Sequence, residues 1–175
     1  MKTRNLFTLL LLMLLAIDAN AQKWEYRPPR KTPLTITVGP HMTLSHIPIR
    51  YARGTNHDLG FDLSGTYRNL YASYYHSLTE SHFTFYGGAL GHTFTFANDR
   101  NGMILSPNVG FGWCEFEIPM IADYYHHTYY TLGLGTDVRF YMGRLVMGFN
   151  YRYSVVTEDF SANIHMLSFN FGLRF

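Results

Sequence analysis

The chain has 175 residues, with 14 Lys and Arg against 12 Asp and Glu and a formal net charge of +2. This small basic excess excludes a protein that follows nucleic-acid phosphates, because such proteins are strongly basic. The single cysteine, Cys114, excludes an internal disulfide. Phe and Tyr number 14 each, yet the mean hydropathy is only −0.09, a combination that favours alternating strands over long apolar helices.

The N-terminus has the pattern of an export signal. Lys2 and Arg4 precede an apolar run over residues 6–17, and the small residues of 19–21 follow as a cleavage site requires. We therefore predict a signal peptide over residues 1–21. The alternative is a membrane-spanning helix, but the run is shorter than the roughly 20 residues that a span needs.

A short basic tail follows over residues 22–32. Pro28 and Pro29 oppose regular structure in this tail, so we expect a solvated linker in the periplasm. The remaining residues, 33–175, have the length of one domain.

Eight stretches of this domain alternate apolar and polar residues with the two-residue period of a strand. They cover residues 34–44, 59–68, 70–78, 82–97, 103–114, 129–140, 144–155 and 163–175. The connections predicted as tight turns are 68–69, 98–102 and 141–143, and those predicted as loops are 45–57, 79–81, 115–126 and 157–162. Eight antiparallel strands place both ends of the domain on the same side.

Two of these strands contain a local irregularity. Pro40 cannot donate a ladder hydrogen bond, so it predicts a bulge or an edge at that position. In the fourth strand Phe83 and Phe85 have odd numbers whereas Leu90 has an even number, so they would lie on opposite faces of a regular strand. This implies that the apolar face changes from odd to even positions within the strand. We predict a β-bulge at residues 87–88, where two glycines make one sterically inexpensive.

Charge placement predicts which face of the sheet is inside. In the last three strands Asp137, Arg139, Arg144, Arg152 and Arg174 all fall on the polar face. An Arg facing lipid at mid-depth would cost roughly 2–4 kcal/mol. We therefore predict an all-β, eight-stranded, antiparallel transmembrane up-and-down barrel with its apolar face outward. A soluble ligand-binding barrel, with the apolar face inward, is the alternative.

The last strand carries the most specific pattern. Leu167, Phe169, Phe171, Leu173 and Phe175 alternate with polar residues and glycine up to an aromatic final residue. This strand resembles the closing strand of bacterial outer-membrane β-barrels, such as the transmembrane part of outer-membrane protein A or the PorT-like barrels of Bacteroidota. The resemblance implies a location in the cell outer membrane, contact with its lipid, and recognition of Phe169, Phe171, Leu173 and Phe175 by the barrel-assembly machinery.

The polar face supplies the candidate interior site. We predict an interior polar ladder of Asp62, Arg68, Asp137, Arg139, Arg144, Arg152 and Arg174. An eight-stranded barrel is filled by its own side chains, so paired structural charges are expected and a narrow ion path is the alternative.

No cofactor, metal site or catalytic residue is predicted. His126 and His127 lie near Asp123, but adjacent histidines on an extended segment point in opposite directions. His165 and Ser168 are three residues apart and lie on opposite faces of their strand. No sequence pattern matches a lipid A deacylase, although residues from different strands could still meet.

The sequence thus predicts a non-catalytic integral outer-membrane protein that acts in envelope integrity or in surface interaction through its outward loops. A lipid A-modifying barrel enzyme and a soluble ligand-binding barrel are the alternatives. An extracellular or periplasmic protein partner is compatible with this prediction, and nucleic acid is not.

Overall fold

The computed structural model describes residues 34–48, 53–78, 83–97, 101–119, 124–157 and 163–175. The predicted signal peptide and periplasmic tail lie outside the described residues. The strands are β1 Thr35–Pro48, β2 Arg53–Tyr67, β3 Leu70–Ser77, β4 Phe83–His92, β5 Phe94–Ala97, β6 Asn101–Pro119, β7 Tyr124–Met142, β8 Leu145–Val156 and β9 Asn163–Arg174. Among these residues there is no helical segment whose length and hydropathy would let it span a bilayer.

The strands form one closed antiparallel sheet. Their order is β4-β3-β2-β1-β9-β8-β7-β6-β5, and a further pairing of β4 with β6 closes the barrel. β4 and β5 form a single barrel strand, because both pair with β6 in one continuous register. His92 falls opposite Pro107 at the break between them, and proline has no N–H to offer a ladder. The predicted eight-stranded up-and-down barrel is therefore confirmed.

The two ends of the barrel differ in how its strands are connected. We call the end that carries the β1–β2, β3–β4, β6–β7 and β8–β9 connections the loop end. The opposite end, the turn end, carries the β2–β3, β5–β6 and β7–β8 connections. Two of the latter are two-residue turns, in which Arg68 and Gly143 adopt positive φ angles of 53° and 60°.

The apolar face of the sheet points outward. Along β8 every odd-numbered residue from Leu145 to Val155 is exposed, and every even-numbered residue is buried. Arg139 on β7 and Arg152 on β8 are completely buried. The predicted facing is therefore confirmed, and the soluble barrel with an apolar interior is excluded for the described residues.

The predicted bulge at residues 87–88 is wrong. Gly87 pairs with Gly112 and Gly88 with Phe111, with no inserted residue on either strand. Phe83 and Phe85 point into the barrel, so the odd-numbered residues of β4 face inward along its whole length. The phase change was inferred by assuming that every large aromatic residue faces outward, and these two fill the interior instead.

Pro40 makes neither a bulge nor an edge. It pairs with Phe61 of β2, and the β1–β9 register is the same at Val38 and at His41. The ladder to β9 merely skips the positions of Gly39 and Pro40.

Two predicted loops are partly strand. Within residues 45–57, β1 continues to Pro48 and β2 begins at Arg53; within residues 115–126, β6 continues to Pro119 and β7 begins at Tyr124. β1, β2, β6 and β7 are therefore longer than a membrane span of 9–11 residues requires. The predicted turn 141–143 lies instead at residues 143–144, while the loop 79–81 and most of 157–162 lie outside the described residues.

Candidate functional site

The interior contains a polar network that joins opposite walls of the barrel. Arg139 on β7 donates through Nε to Asp137 Oδ1 at 2.6 Å. Its other nitrogens cross the bore and donate to Thr35 Oγ1 of β1 at 2.7 Å and to Ser64 Oγ of β2 at 2.9 Å. One guanidinium group therefore ties three strands together and neutralises the carboxylate beside it.

Asp62 on β2 is the acceptor at the centre of the network. Asn150 Nδ2 and Ser168 Oγ donate to its Oδ2 at 3.2 Å each, and Asn170 Nδ2 donates to its Oδ1 at 3.3 Å. Asn150 Nδ2 also donates to Tyr71 OH at 3.0 Å. All five side chains are buried, so the hydrogen bonds compensate in part for the loss of water around the carboxylate.

Arg152 provides a second link across the bore. From β8 its Nη2 donates to Ser73 Oγ and to Asn108 Oδ1, both at 3.2 Å, and its guanidinium carbon lies 4.6 Å from the centre of the Tyr75 ring. A Cβ at Gly110 would lie 2.6 Å from Arg152 Cδ. The glycine is therefore what allows this side chain to lie against β6.

Apolar side chains fill the bore on either side of the polar network. The loop-side layer consists of Tyr75, Phe83, Phe85, Cys114, Tyr129, Val156, Ile164 and Met166. The turn-side layer consists of Ile104, Tyr141 and Val146, and the Arg174 guanidinium lies 4.4 Å from the centre of the Tyr141 ring. Because apolar side chains in the bore oppose the passage of ions, this arrangement favours structural charge pairing over a continuous ion path.

The predicted ladder residues fall into three groups. Asp62, Asp137, Arg139 and Arg152 lie together in the interior. Arg174 lies at the turn end of the bore. Arg68 and Arg144 were predicted inside but are exposed in the two-residue turns, because the strands end one residue earlier or begin one residue later than the alternation suggested.

Several members of the network were not predicted as site residues. They are Thr35, Ser64, Tyr71, Asn108, Asn150, Ser168 and Asn170. The sequence signal that could have identified them is their odd or even position, since each falls on the polar face of its strand. Uncharged residues on that face are common in any barrel, so parity alone did not single them out.

Aromatic and polar side chains meet on the outer surface toward the loop end. Trp113 lies between Tyr86 and Tyr130, with ring centres 5.6 and 6.2 Å away. Tyr86 OH donates to Glu115 Oε1 at 2.8 Å. Amphipathic rings at this level are typical of the girdle at a membrane–water boundary.

The catalytic candidates do not assemble. His165 faces outward, where its Nδ1 lies 2.9 Å from Tyr151 OH, whereas Ser168 faces inward. Glu115 pairs in register with Thr84 on the outer face. In the described part of the chain, however, no serine or threonine hydroxyl is hydrogen-bonded to a histidine ring, and no three His, Cys, Asp or Glu residues are placed to hold a metal ion. The side chains of Asp123, His126 and His127 lie outside the described set.

The terminal strand places its apolar residues on the outer surface. Phe171, Leu173 and Phe175 are exposed, and Phe169 is half-buried. The Phe169 ring lies 4.6 Å from both Phe149 and Phe171, in edge contacts. Phe175 N donates to Leu34 O at 2.8 Å, so β9 and β1 stay joined to the end of the strand.

At the loop end β6 and β7 extend beyond the barrel wall. β4 accompanies β6 only as far as Phe116, and β8 accompanies β7 only from Thr131 onward. Farther out the two strands pair with each other, ending with Pro119 opposite Tyr124. We call residues 117–119 and 124–126, which pair with each other, the β6–β7 ribbon.

The closed sheet, the length of its strands and the outward direction of its apolar face together define the fold of a small eight-stranded outer-membrane barrel. Solved structures of this class are similar to the chain. Ail, the attachment invasion locus protein of Yersinia pestis, is 19% identical with a TM-score of 0.64, over 83% of this chain and 99% of Ail. A second Ail structure, in complex with the heparin analogue sucrose octasulfate, is 18% identical with a TM-score of 0.62, over 83% of this chain and 99% of that chain.

Neisserial surface protein A is 14% identical with a TM-score of 0.58, over 81% of this chain and 97% of that protein. No protein-family model and no curated protein sequence matches the chain. At these identities the similarity shows the fold and not the activity.

Proposed function

We propose that the protein is a non-catalytic integral outer-membrane barrel that acts as a rigid scaffold for a surface-interaction site at its loop end. The observation that carries this proposal is the apolar outer surface around a charged interior. Such a surface is stable only in contact with hydrocarbon, because monomeric soluble proteins rarely expose a continuous apolar patch of this extent. Closed barrels are the form in which strands cross lipid.

The filled interior supports a scaffold rather than a channel. Arg139 and Arg152 each connect opposite walls, and the two apolar layers occupy the bore on either side. A barrel held together in this way resists deformation, which suits it to presenting loops in a fixed arrangement.

The β6–β7 ribbon supports the assignment of function to the loop end. It extends beyond the part of β7 that pairs with β8, so it is placed to reach beyond the lipid headgroups. Ail is named for attachment and invasion, and one of its structures contains a heparin analogue. We propose attachment to an extracellular partner as the role of the corresponding end of this chain.

Three finer assignments belong to the same proposal. Export would remove residues 1–21 and leave residues 22–32 as a periplasmic tail ahead of the barrel. Phe169, Phe171, Leu173 and Phe175 would be read by the barrel-assembly machinery. A PorT-like barrel of Bacteroidota remains the more specific prediction of family. Mass spectrometry of the mature chain tests the first assignment by showing whether it begins at Gln22.

Membrane fractionation combined with heat-modifiable gel mobility tests the location. We expect the protein in the detergent-soluble outer-membrane fraction, with a folded form that migrates differently from the boiled form. Recovery of folded protein from the periplasm without detergent would contradict the proposal.

Shortening the ribbon tests the surface role. Replacing residues 117–126 with Asn-Gly would join Phe116 to His127, which are paired in the barrel, through a two-residue hairpin turn. The matched control places the same Asn-Gly pair at residues 143–144, in the turn at the opposite end. Cells that display each variant are then compared for attachment to surfaces coated with heparin or with matrix proteins. We expect loss of attachment only with the shortened ribbon; equal attachment by both variants would refute a role for the ribbon.

A further inference from the structure

A strip of buried polar residues on β1 and β2 lies outside the hydrogen-bonded network. It consists of His41, Thr43, Ser45 and Asp58, each of which is at most 1% exposed. Among the described residues none of their side-chain nitrogen or oxygen atoms has a hydrogen-bond partner. Buried polar atoms are nearly always bonded to protein, water or an ion, so a contiguous set without partners indicates a place where something binds.

The strand register brings these side chains together. Thr43 pairs directly with Asp58 across β1 and β2, which places their Cβ atoms about 4.5–5.5 Å apart. Ser45 and His41 follow on the same interior face, two residues to either side of Thr43. The His41 ring leans over Gly60, where a Cβ would lie 2.5 Å from its Nε2. The ring therefore lies beside Asp58 along the inner face of β2.

The charges of the described interior do not balance. Its fully buried acidic and guanidinium groups are the carboxylates of Asp58, Asp62 and Asp137 and the guanidinium groups of Arg139 and Arg152. Asp137 is paired with Arg139, and Asp62 accepts hydrogen bonds from three side chains. Asp58 has no cationic partner among the described groups. Ser77 and Leu59 lie near its carboxylate, but neither reaches hydrogen-bonding geometry, and the Ser77 hydroxyl is bonded to Phe85. An unpaired carboxylate in an interior site is costly.

The donor atoms indicate the chemistry of the missing partner. A carboxylate and two hydroxyl oxygens are hard ligands, which favour alkali and alkaline-earth cations over transition metals. Calcium sites usually add further carboxylates or carbonyls, whereas a single unpaired negative charge is neutralised by a monovalent ion. Protonation of His41 would be a different solution, but it would put a third positive charge near the guanidinium of Arg152, two of whose nitrogens already lack partners among the described residues.

We propose that the barrel interior binds one monovalent alkali cation, Na⁺ or K⁺, through the carboxylate of Asp58 and the hydroxyl oxygens of Thr43 and Ser45. The ion would lie on the loop side of the Asp62 network, beside the apolar loop-side layer. There it would offset the one unpaired negative charge of the described interior. This proposal is independent of whether the loop end binds a partner.

The test uses the full mature chain, folded in an uncharged detergent. Thermal unfolding is followed by heat-modifiable gel mobility in NaCl, KCl or choline chloride at one chloride concentration. Choline is too large for a site inside an eight-stranded bore. We expect a higher unfolding midpoint in Na⁺ or K⁺ than in choline. When choline is exchanged stepwise for Na⁺ or K⁺ at constant chloride, the midpoint should rise with the logarithm of the alkali cation concentration, as a bound ligand requires. The Asp58→Asn variant should lose this dependence.

A pair of matched threonine variants keeps the test decisive if Asp58→Asn does not fold. Thr43→Val removes one proposed ligand oxygen, while Thr37→Val makes the same change on the same face of β1, at a hydroxyl bonded to Ser64. The cation-dependent shift should shrink in the first variant and persist in the second. Equal midpoints of the wild type in Na⁺, K⁺ and choline overturn the proposal. A midpoint that responds to pH but not to the cation identifies a proton on Asp58 and also overturns it.

Discussion

Replacing Leu63 by arginine is the most direct test of which face meets lipid. Leu63 is 45% exposed on the outer surface of β2, four residues from Tyr67 at the turn end. At about 3.3 Å per residue and a strand tilt of about 40°, it lies about 10 Å deep, near the middle of a 25 Å apolar band. Arginine at that depth costs about 2–4 kcal/mol.

Leu70 provides the matched control. It is the first residue of β3, pairs with Tyr67 and is 67% exposed, so Leu70→Arg places the same charge near the boundary, where it costs about 0–1 kcal/mol. The two variants should therefore differ by about 1–4 kcal/mol, which is a difference of about 5- to 700-fold in the folding equilibrium constant. The Leu63→Ala variant measures the stability that is lost with the leucine side chain alone, so that this part can be subtracted from the effect of Leu63→Arg.

Reversible urea unfolding from lipid vesicles, read by gel mobility and tryptophan fluorescence, measures these differences. If this outer surface met water instead of hydrocarbon, both substitutions would stay within about 0.5 kcal/mol of the wild type. A Leu63→Arg variant as stable as Leu70→Arg would therefore refute the assignment of the apolar surface to hydrocarbon.

Four further predictions concern the interior and one turn. Arg139→Met should destabilise the barrel by about 3–5 kcal/mol, because it leaves Asp137 buried without its cation, and adding Asp137→Asn should restore most of the loss in urea midpoint. Gly110→Ala should cost about 1–3 kcal/mol, because the new methyl group would meet Arg152; the same change combined with Arg152→Met should be milder in the same assay. Gly143→Ala should cost about 1 kcal/mol, because φ is +60° there, whereas Gly143→Asn should fold nearly as well when folding yield is compared. In planar bilayers the purified barrel should give no stepwise conductance, and regular current steps would disprove the filled bore.

Strand identity and facing were accessible from the sequence for a physical reason. Alternation along β8, with Leu145 to Val155 on one face and Arg152 on the other, records the free energy of placing each side chain in lipid or in the interior. The arginines decide the direction, because their transfer to hydrocarbon costs more than any packing gain returns. The sequence therefore predicted four interior charges, Asp62, Asp137, Arg139 and Arg152, where the structure places them.

The same reasoning failed where residue type and facing diverge. Phe83 and Phe85 fill the loop side of the interior, and no hydropathy pattern separates an aromatic side chain that packs inside a bore from one that faces lipid. Arg68 and Arg144 follow the parity of neighbouring strands but lie in turns. The alternation of odd and even positions can continue past the end of a strand, whereas the hydrogen bonds between strands cannot. The ends of the strands were therefore the least predictable feature.

The alternation of apolar and polar residues in the sequence predicted a closed antiparallel barrel with lipid outside and charge inside. This was possible because the preference of a side chain for hydrocarbon or for polar surroundings depends on the residue type at each position. Contacts across the bore could not be read in that way. The bond from Arg139 on β7 to Ser64 on β2 joins residues 75 positions apart, and Asp58 on β2 lies beside Thr43 only because β1 and β2 pair in that register. These features depend on register and closure, which bring side chains together only after the whole sheet has formed.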